Sequence, residues 1–136
     1  MGSLGYIVDK LKKAVSKNVV VHYVIDISSE HLQITEMAST RKTNDHFIAW
    51  NRIQKIVLFK QDCITVDQIR ALVIIDDESS FELREDLDIG WKDFIHEIPN
   101  HLEGCETEDQ WFQAVAFPAF ELCERTIYER NLNVCP

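Results

Sequence analysis

Hydrophobic and polar positions change period along this chain, and those changes mark its elements. From Ser3 to Lys17 the apolar residues Leu4, Ile7, Val8, Leu11 and Val15 recur at helical spacing. Lys10, Lys12, Lys13 and Lys17 lie toward the end where cations suit the helix dipole, so an amphipathic helix is predicted. "VVVHYVIDI" is apolar on both faces and predicts a central strand, with His22 between Val20 and Val24 as a hydrogen-bonded core histidine; "HLQITEMA" alternates and predicts its neighbour. After "STRKTNDH", which reads as a polar loop, "FIAW", "IQKIVLFK" and "DQIRALVII" predict short strands, and "FELRE" closes a hairpin through a turn at Asp77–Ser79.

At Asp88 the period becomes helical: Trp91, Phe94, Ile95, Ile98 and Leu102 define one stripe, with Asp88 as the expected cap. Pro99 predicts a kink or a break within it, and Gly104 a stop. Thr107 and Gln110 have capping-box spacing, so a second short helix should turn Trp111, Phe112 and Val115 inward before Pro118. "CERTIYER" predicts a last strand. Together these give one globular domain over 1–136, of α+β class: a single, mainly antiparallel sheet carrying the N-terminal helix and two C-terminal helices.

At 136 residues, 46% of them apolar and 27% charged, the chain can bury a core without disulfide or metal. Cys63, Cys105, Cys123 and Cys135 form no CxxC, and "MGSLGYIVDKLKK" breaks its apolar residues too early for a signal peptide. A cytoplasmic location with reduced thiols is expected. The net charge of −9 argues against a nucleic-acid or anionic-membrane partner. It is unevenly placed: residues 1–60 carry nine Lys/Arg against five Asp/Glu, and residues 61–136 five against eighteen.

The run "DDESSFELREDLDIGWKDF", residues 76–94, holds eight carboxylates. Asp76, Asp77, Glu78, Glu82 and Asp86 are the expected partner-binding residues, as turn and outward strand positions. Glu85 instead continues the apolar face of Phe81 and Leu83. Pairing residue 74 with 81 would set it opposite Arg70; a shift by one would set it opposite Ala71 as a carboxylate whose pKa rises on burial. Asp62 and Asp67, flanking "CITV", are with Glu85 the candidate functional carboxylates. His96, His101 and Cys105 are the best metal combination, but Pro99 lies between the histidines and facing ligands are not implied. No G-x-S-x-G and no phosphate-cradling glycine loop is present, and no metal or cofactor is expected.

The run "WNRIQKIVLFKQDCITVDQI", then "GWKDF", "WFQAVAFPAF" and "TIYER", resembles a family of small uncharacterised bacterial proteins across roughly residues 50–130. That resemblance implies no activity. More loosely, a Trp-containing strand, an I-x-x-I strand, a hairpin and a helix are similar to bacterial pleckstrin-homology-like modules, which implies binding or assembly; the helix and strand after Gly104 depart from that pattern. The expected function is a non-enzymatic protein-binding module, one version being an immunity-type neutraliser of a basic partner. The alternatives are a carboxylate-dependent hydrolase or metal-dependent enzyme, and a protein that assembles with itself through a sheet edge.

Overall fold

The computed structural model describes residues 21–62, 67–116 and 123–130. The helix expected over 3–17 and the stop at Pro118 lie outside these residues. Three strands come first, β1 (Val21–Ile27), β2 (His31–Ala38) and β3 (Arg41–Ala49), followed by a 3-10 turn at Trp50–Arg52. The strands β4 (Lys55–Asp62), β5 (Asp67–Ile74) and β6 (Ser80–Arg84) come next, then helices α1 (Trp91–His101) and α2 (Glu108–Ala116), and last β7 (Cys123–Glu129).

The class is α+β, but the strands form two antiparallel sheets rather than one, ordered β1-β2-β3 and β6-β5-β4-β7. The division falls at the 3-10 turn, where Trp50 and Ile53 are buried and redirect the chain. Period-two alternation is satisfied by either arrangement, so it could not reveal the split. Central position also belongs to β2, not β1, and His22 is only half-buried. The polar stretch read as a loop is most of β3. Arg41 to Asn44 are exposed there, as an edge strand tolerates, and Ser39, at φ 61°, turns the chain back from β2.

Alternation sets the core. Ile56, Leu58 and Lys60 of β4 share the inward face with Ile69, Ala71 and Val73 of β5 and Leu83 of β6. Ile25, Leu32, Ile34 and Ile48 meet them from the other sheet, and α1 adds Trp91, Phe94, Ile95 and Ile98. Each such apolar side chain contributes on the order of 1.5–3 kcal/mol by leaving water. Trp50 donates its indole N–H to the Ser28 carbonyl at 2.9 Å and stacks on His101 at 4.4 Å, joining the first hairpin to the end of α1.

The helix expectations are met in part: no break falls at Pro99, Gly104 does follow the helix end, and Phe112 is not inward. Helix α1 continues through Pro99 to His101: the proline stands in the last turn, where it forfeits one intrahelical bond, and Leu102 still donates to Ile98. Gly104, at φ 83°, lies in the turn beyond the helix end. In α2, Trp111 and Val115 are buried but Phe112 is 41% exposed, because it falls beside the inward stripe rather than in it. The Thr107 signal holds in part: the Gln110 side chain accepts from the Thr107 N–H at 2.8 Å.

Candidate functional site

The acidic run becomes legible once the β5–β6 register is known. The turn closes with Ser79 N–H to Asp76 O and Ile75 N–H to Ser79 O, so Ser80, not Phe81, stands opposite Ile74. Arg70 therefore faces Arg84, and neither pairing considered for Glu85 occurs. Arg70 instead donates to Glu82 at 2.7 Å and to Gln68 at 3.1 Å, which gives Glu82 a specific partner. Glu85 donates its backbone N–H to the Ile69 carbonyl and is exposed as a residue, with its carboxyl partly shielded by protein.

Asp88 is the residue that organises the site. Its side chain is fully buried, and it caps no helix; that position is taken by Gly90, with no side-chain cap. One carboxylate oxygen accepts from the Tyr23 backbone N–H at 2.7 Å, and the other from the Arg84 backbone N–H at 2.6 Å. The Arg84 guanidinium adds contacts at 3.3 and 3.4 Å and also reaches the Val21 carbonyl at 3.3 Å. One carboxylate thus ties the first strand of one sheet to the edge strand of the other, with its charge compensated on both sides.

The chain from Asp88 to Gly90 then lies along β1. Ile25 donates to Ile89 and Ile89 to Tyr23, which occupies the strand edge that β1 would otherwise expose. Gly90, at φ 92°, passes so close that an added Cβ would stand 2.3 Å from the Ile25 carbonyl oxygen. Only glycine meets both demands.

Glu85, Asp88, Gly90, Trp91, Lys92 and Asp93 line a shallow, open depression of about 370 Å³. Burial pushes the Glu85 carboxyl above its ordinary value, assisted by Glu108 and Asp86 and opposed by Lys92. Asp88 has its acceptor positions engaged and Trp91 is buried, which leaves the raised Glu85 carboxyl as a candidate for proton chemistry there. A lone shifted carboxyl can hold or release a proton, but general acid and base work on one bond needs a second group in reach.

Apart from Asp62 and Asp67, which the ladder brings together, the remaining candidates are dispersed. Asp76, Asp77 and Glu78 are exposed at the turn, where Asp76 accepts from the Glu78 N–H at 2.9 Å; that bond holds the Asp76 carboxyl below its ordinary range. Asp86 accepts from Gln68 at 2.8 Å at the opposite end of the hairpin. Asp62 and Asp67 are Cα partners in the last described pair of the β4–β5 ladder, and "CITV" between them lies outside the described residues. His96 is exposed, His101 lies against Trp50, and Cys105 is buried with its thiol pushed up to about 12. Among the described residues, no group of three His, Cys, Asp or Glu is placed to hold a metal ion.

Two residues escaped the sequence reading. Asp88 looked like an ordinary cap, and nothing in its neighbourhood announces that β1 returns to it. Lys60 is 1% exposed, and here a signal existed: in "KIVLFK" it continues the inward row of Ile56 and Leu58.

No family model, no curated protein and no solved structure matches this chain. Among the described residues, no helix is long and apolar enough to cross a membrane.

Proposed function

We propose that this protein is a non-enzymatic binding module whose acidic β5–β6 hairpin engages a basic protein partner. One observation carries the reading: Asp76, Asp77 and Glu78 stand exposed at one end of the edge strand β6, Asp86 stands exposed at the other, and Glu82 lies between them. None of these five lines the depression at Glu85. Carboxylates spread along an outward edge suit electrostatic steering of a complementary surface more than chemistry on a small substrate. An immunity-type neutraliser of a basic partner is the specific form of this proposal. A pleckstrin-homology-like relationship belongs with it, supported by two antiparallel sheets and a following helix, with α2 and β7 as the departure.

The test compares the tagged full chain with a variant carrying Asn or Gln at all five positions, by capture from cell extract at low and high salt with mass spectrometry. A basic protein retained at low salt, shed at high salt and lost in the variant is expected. Equal retention by the variant would place the contact elsewhere. The raised Glu85 proton and its depression favour a second reading, a carboxylate-dependent hydrolase. Turnover of any ester or glycoside substrate that disappears in Glu85→Gln would establish it in place of the first.

A further inference from the structure

Leu87 and Ile89 are two of the four large apolar side chains exposed among the described residues, at 37% and 58%. Scattered singly, such side chains need no explanation. These two flank Asp88, whose carboxylate is fixed by the N–H groups of Tyr23 and Arg84. The fold uses Ile89 through its backbone, which accepts from Ile25 at 2.8 Å and donates to Tyr23 at 2.9 Å. A polar side chain would serve those bonds equally well.

The bridge to β1 also fixes where Ile89 points. It pairs in parallel with Val24, so both side chains lie on one side of the three-stranded sheet, in a row with Thr35 and Asp45. Tyr23, Ile25 and Ile27 take the other side, toward the core, where Phe94, Ile95 and Ile98 of α1 also pack. Ile89 and the half-buried Val24 therefore form an apolar strip on the outward face, with Leu87 in the turn that leads to it. The charge around this strip is negative. Asp26, exposed, lies two residues beyond Val24 on the same face, about 7 Å along β1. Glu85, Asp86 and Asp93 are exposed along the connection, with Lys92 as its one exposed cation, and Asp45 at the far end of the row is paired with Lys42.

We infer that Leu87 and Ile89 are the apolar anchors for the basic partner, which docks on them a segment of apolar residues flanked by Lys or Arg. The inference rests on the reading of the acidic hairpin and adds what carboxylates do not supply. Charges steer the encounter and weaken with salt, whereas desolvated apolar side chains hold the complex once it has formed. Complementarity of charge selects the occupant: Asp26, Glu85, Asp86 and Asp93 favour a cationic flank and disfavour an anionic membrane surface. Because Asp88 and the β1 bridge already hold the segment, little ordering remains to oppose binding.

A synthetic amphipathic helix of leucine and lysine serves as the probe, beside a peptide of the same composition in scrambled order. Backbone amide shifts of the full chain map the contact. Titrations then compare the parent, a Leu87→Ser and Ile89→Ser double variant, and the variant with Asn or Gln at the five hairpin positions. Shifts centred on Val24, Leu87 and Ile89 are expected. Affinity should fall roughly tenfold or more in the serine variant and for the scrambled peptide, and the serine loss should persist at high salt. Circular dichroism checks that the serine variant keeps its sheets; if it does not, the shift map of the unaltered chain decides. Loss in the five-position variant alone, with shifts at the Asp76–Ser79 turn, would overturn the inference and leave the hairpin reading standing. Loss in the serine variant alone would uphold the anchors and count against the hairpin. No binding, equal binding of the two peptides, or self-association of the unaltered chain through Ile89 would each overturn the inference.

Discussion

Asp88 and the trio Asp76, Asp77 and Glu78 belong to one acidic run, yet they do opposite things. The trio is solvated at a hairpin turn, where Asp76 satisfies a local N–H two residues on. Asp88 is sealed inside the protein and satisfies N–H groups of Tyr23 and Arg84, the first of them 65 positions away. The difference teaches that carboxylate content says little about role. A turn aspartate is explained by its neighbours, whereas a buried one is explained only by what the rest of the chain brings to it. Removing each in turn should separate these cases most sharply.

Asp88→Ala is expected to have the largest effect. It would strand two partly buried backbone N–H groups and the Arg84 guanidinium at the junction of the sheets, for a loss of about 3–5 kcal/mol. Denaturant unfolding measures it, and a loss below about 1 kcal/mol would mean that the junction is held by other contacts. Next comes Gly90→Ala, which leaves every carboxylate in place but drives a Cβ into the Ile25 carbonyl at a left-handed φ. A loss of about 2–4 kcal/mol is expected. Because Gly90 fixes where Asp88 meets β1, the two substitutions together should cost less than the sum of their separate effects.

Much of the fold could be read in advance. The β4–β5–β6 meander and the α1 stripe were legible because alternation and 3.6-residue spacing record which side of an element is dry. What those periods cannot record is partnership. The β5–β6 register differs by one residue from the expected pairing because the Asp76–Ser79 turn closes one position earlier, and that single step moves Arg70 from Glu85 to Glu82. The three-stranded sheet separates from the other at a turn whose anchor, Trp50, bonds back to Ser28. The first part of β3, residues 41–46, reads as a loop because an edge strand with solvent on its flanks has little need of apolar residues, whereas "FIA" at its end reads as strand. Of the candidate site, exposed carboxylates were recognisable and the buried one was not.

Glu85 lies between the two extremes, exposed but beside protein, and its pH dependence should show it. Its folded-state carboxyl is raised, so between the unfolded value near 4.5 and the higher folded value the native chain holds more proton than the unfolded chain. That group's contribution to stability therefore falls as pH rises through the window. Glu85→Gln removes the penalty: the variant should be more stable than the parent at neutral pH, with the gap closing below pH of about 4. Thermal midpoints measured across pH would show no such convergence if the carboxyl were simply solvated.

The smallest effect is expected where the charge is densest. Asp76→Asn, Asp77→Asn and Glu78→Gln together remove three negative charges from one turn. The asparagine amide oxygen at position 76 would still accept the N–H of residue 78, so the turn keeps its local bond. The midpoint at neutral pH should not move resolvably, while the salt dependence of partner capture should weaken. The sign at low pH is the sharper check. The Asp76 carboxyl is held below its ordinary range, so it stabilises the fold above its unfolded value, and that share is lost as pH falls through the folded one. A parent that loses stability in that window while the triple variant does not would show that Asp76 serves the fold, as Asp88 does, and only Asp77 and Glu78 are left to the partner.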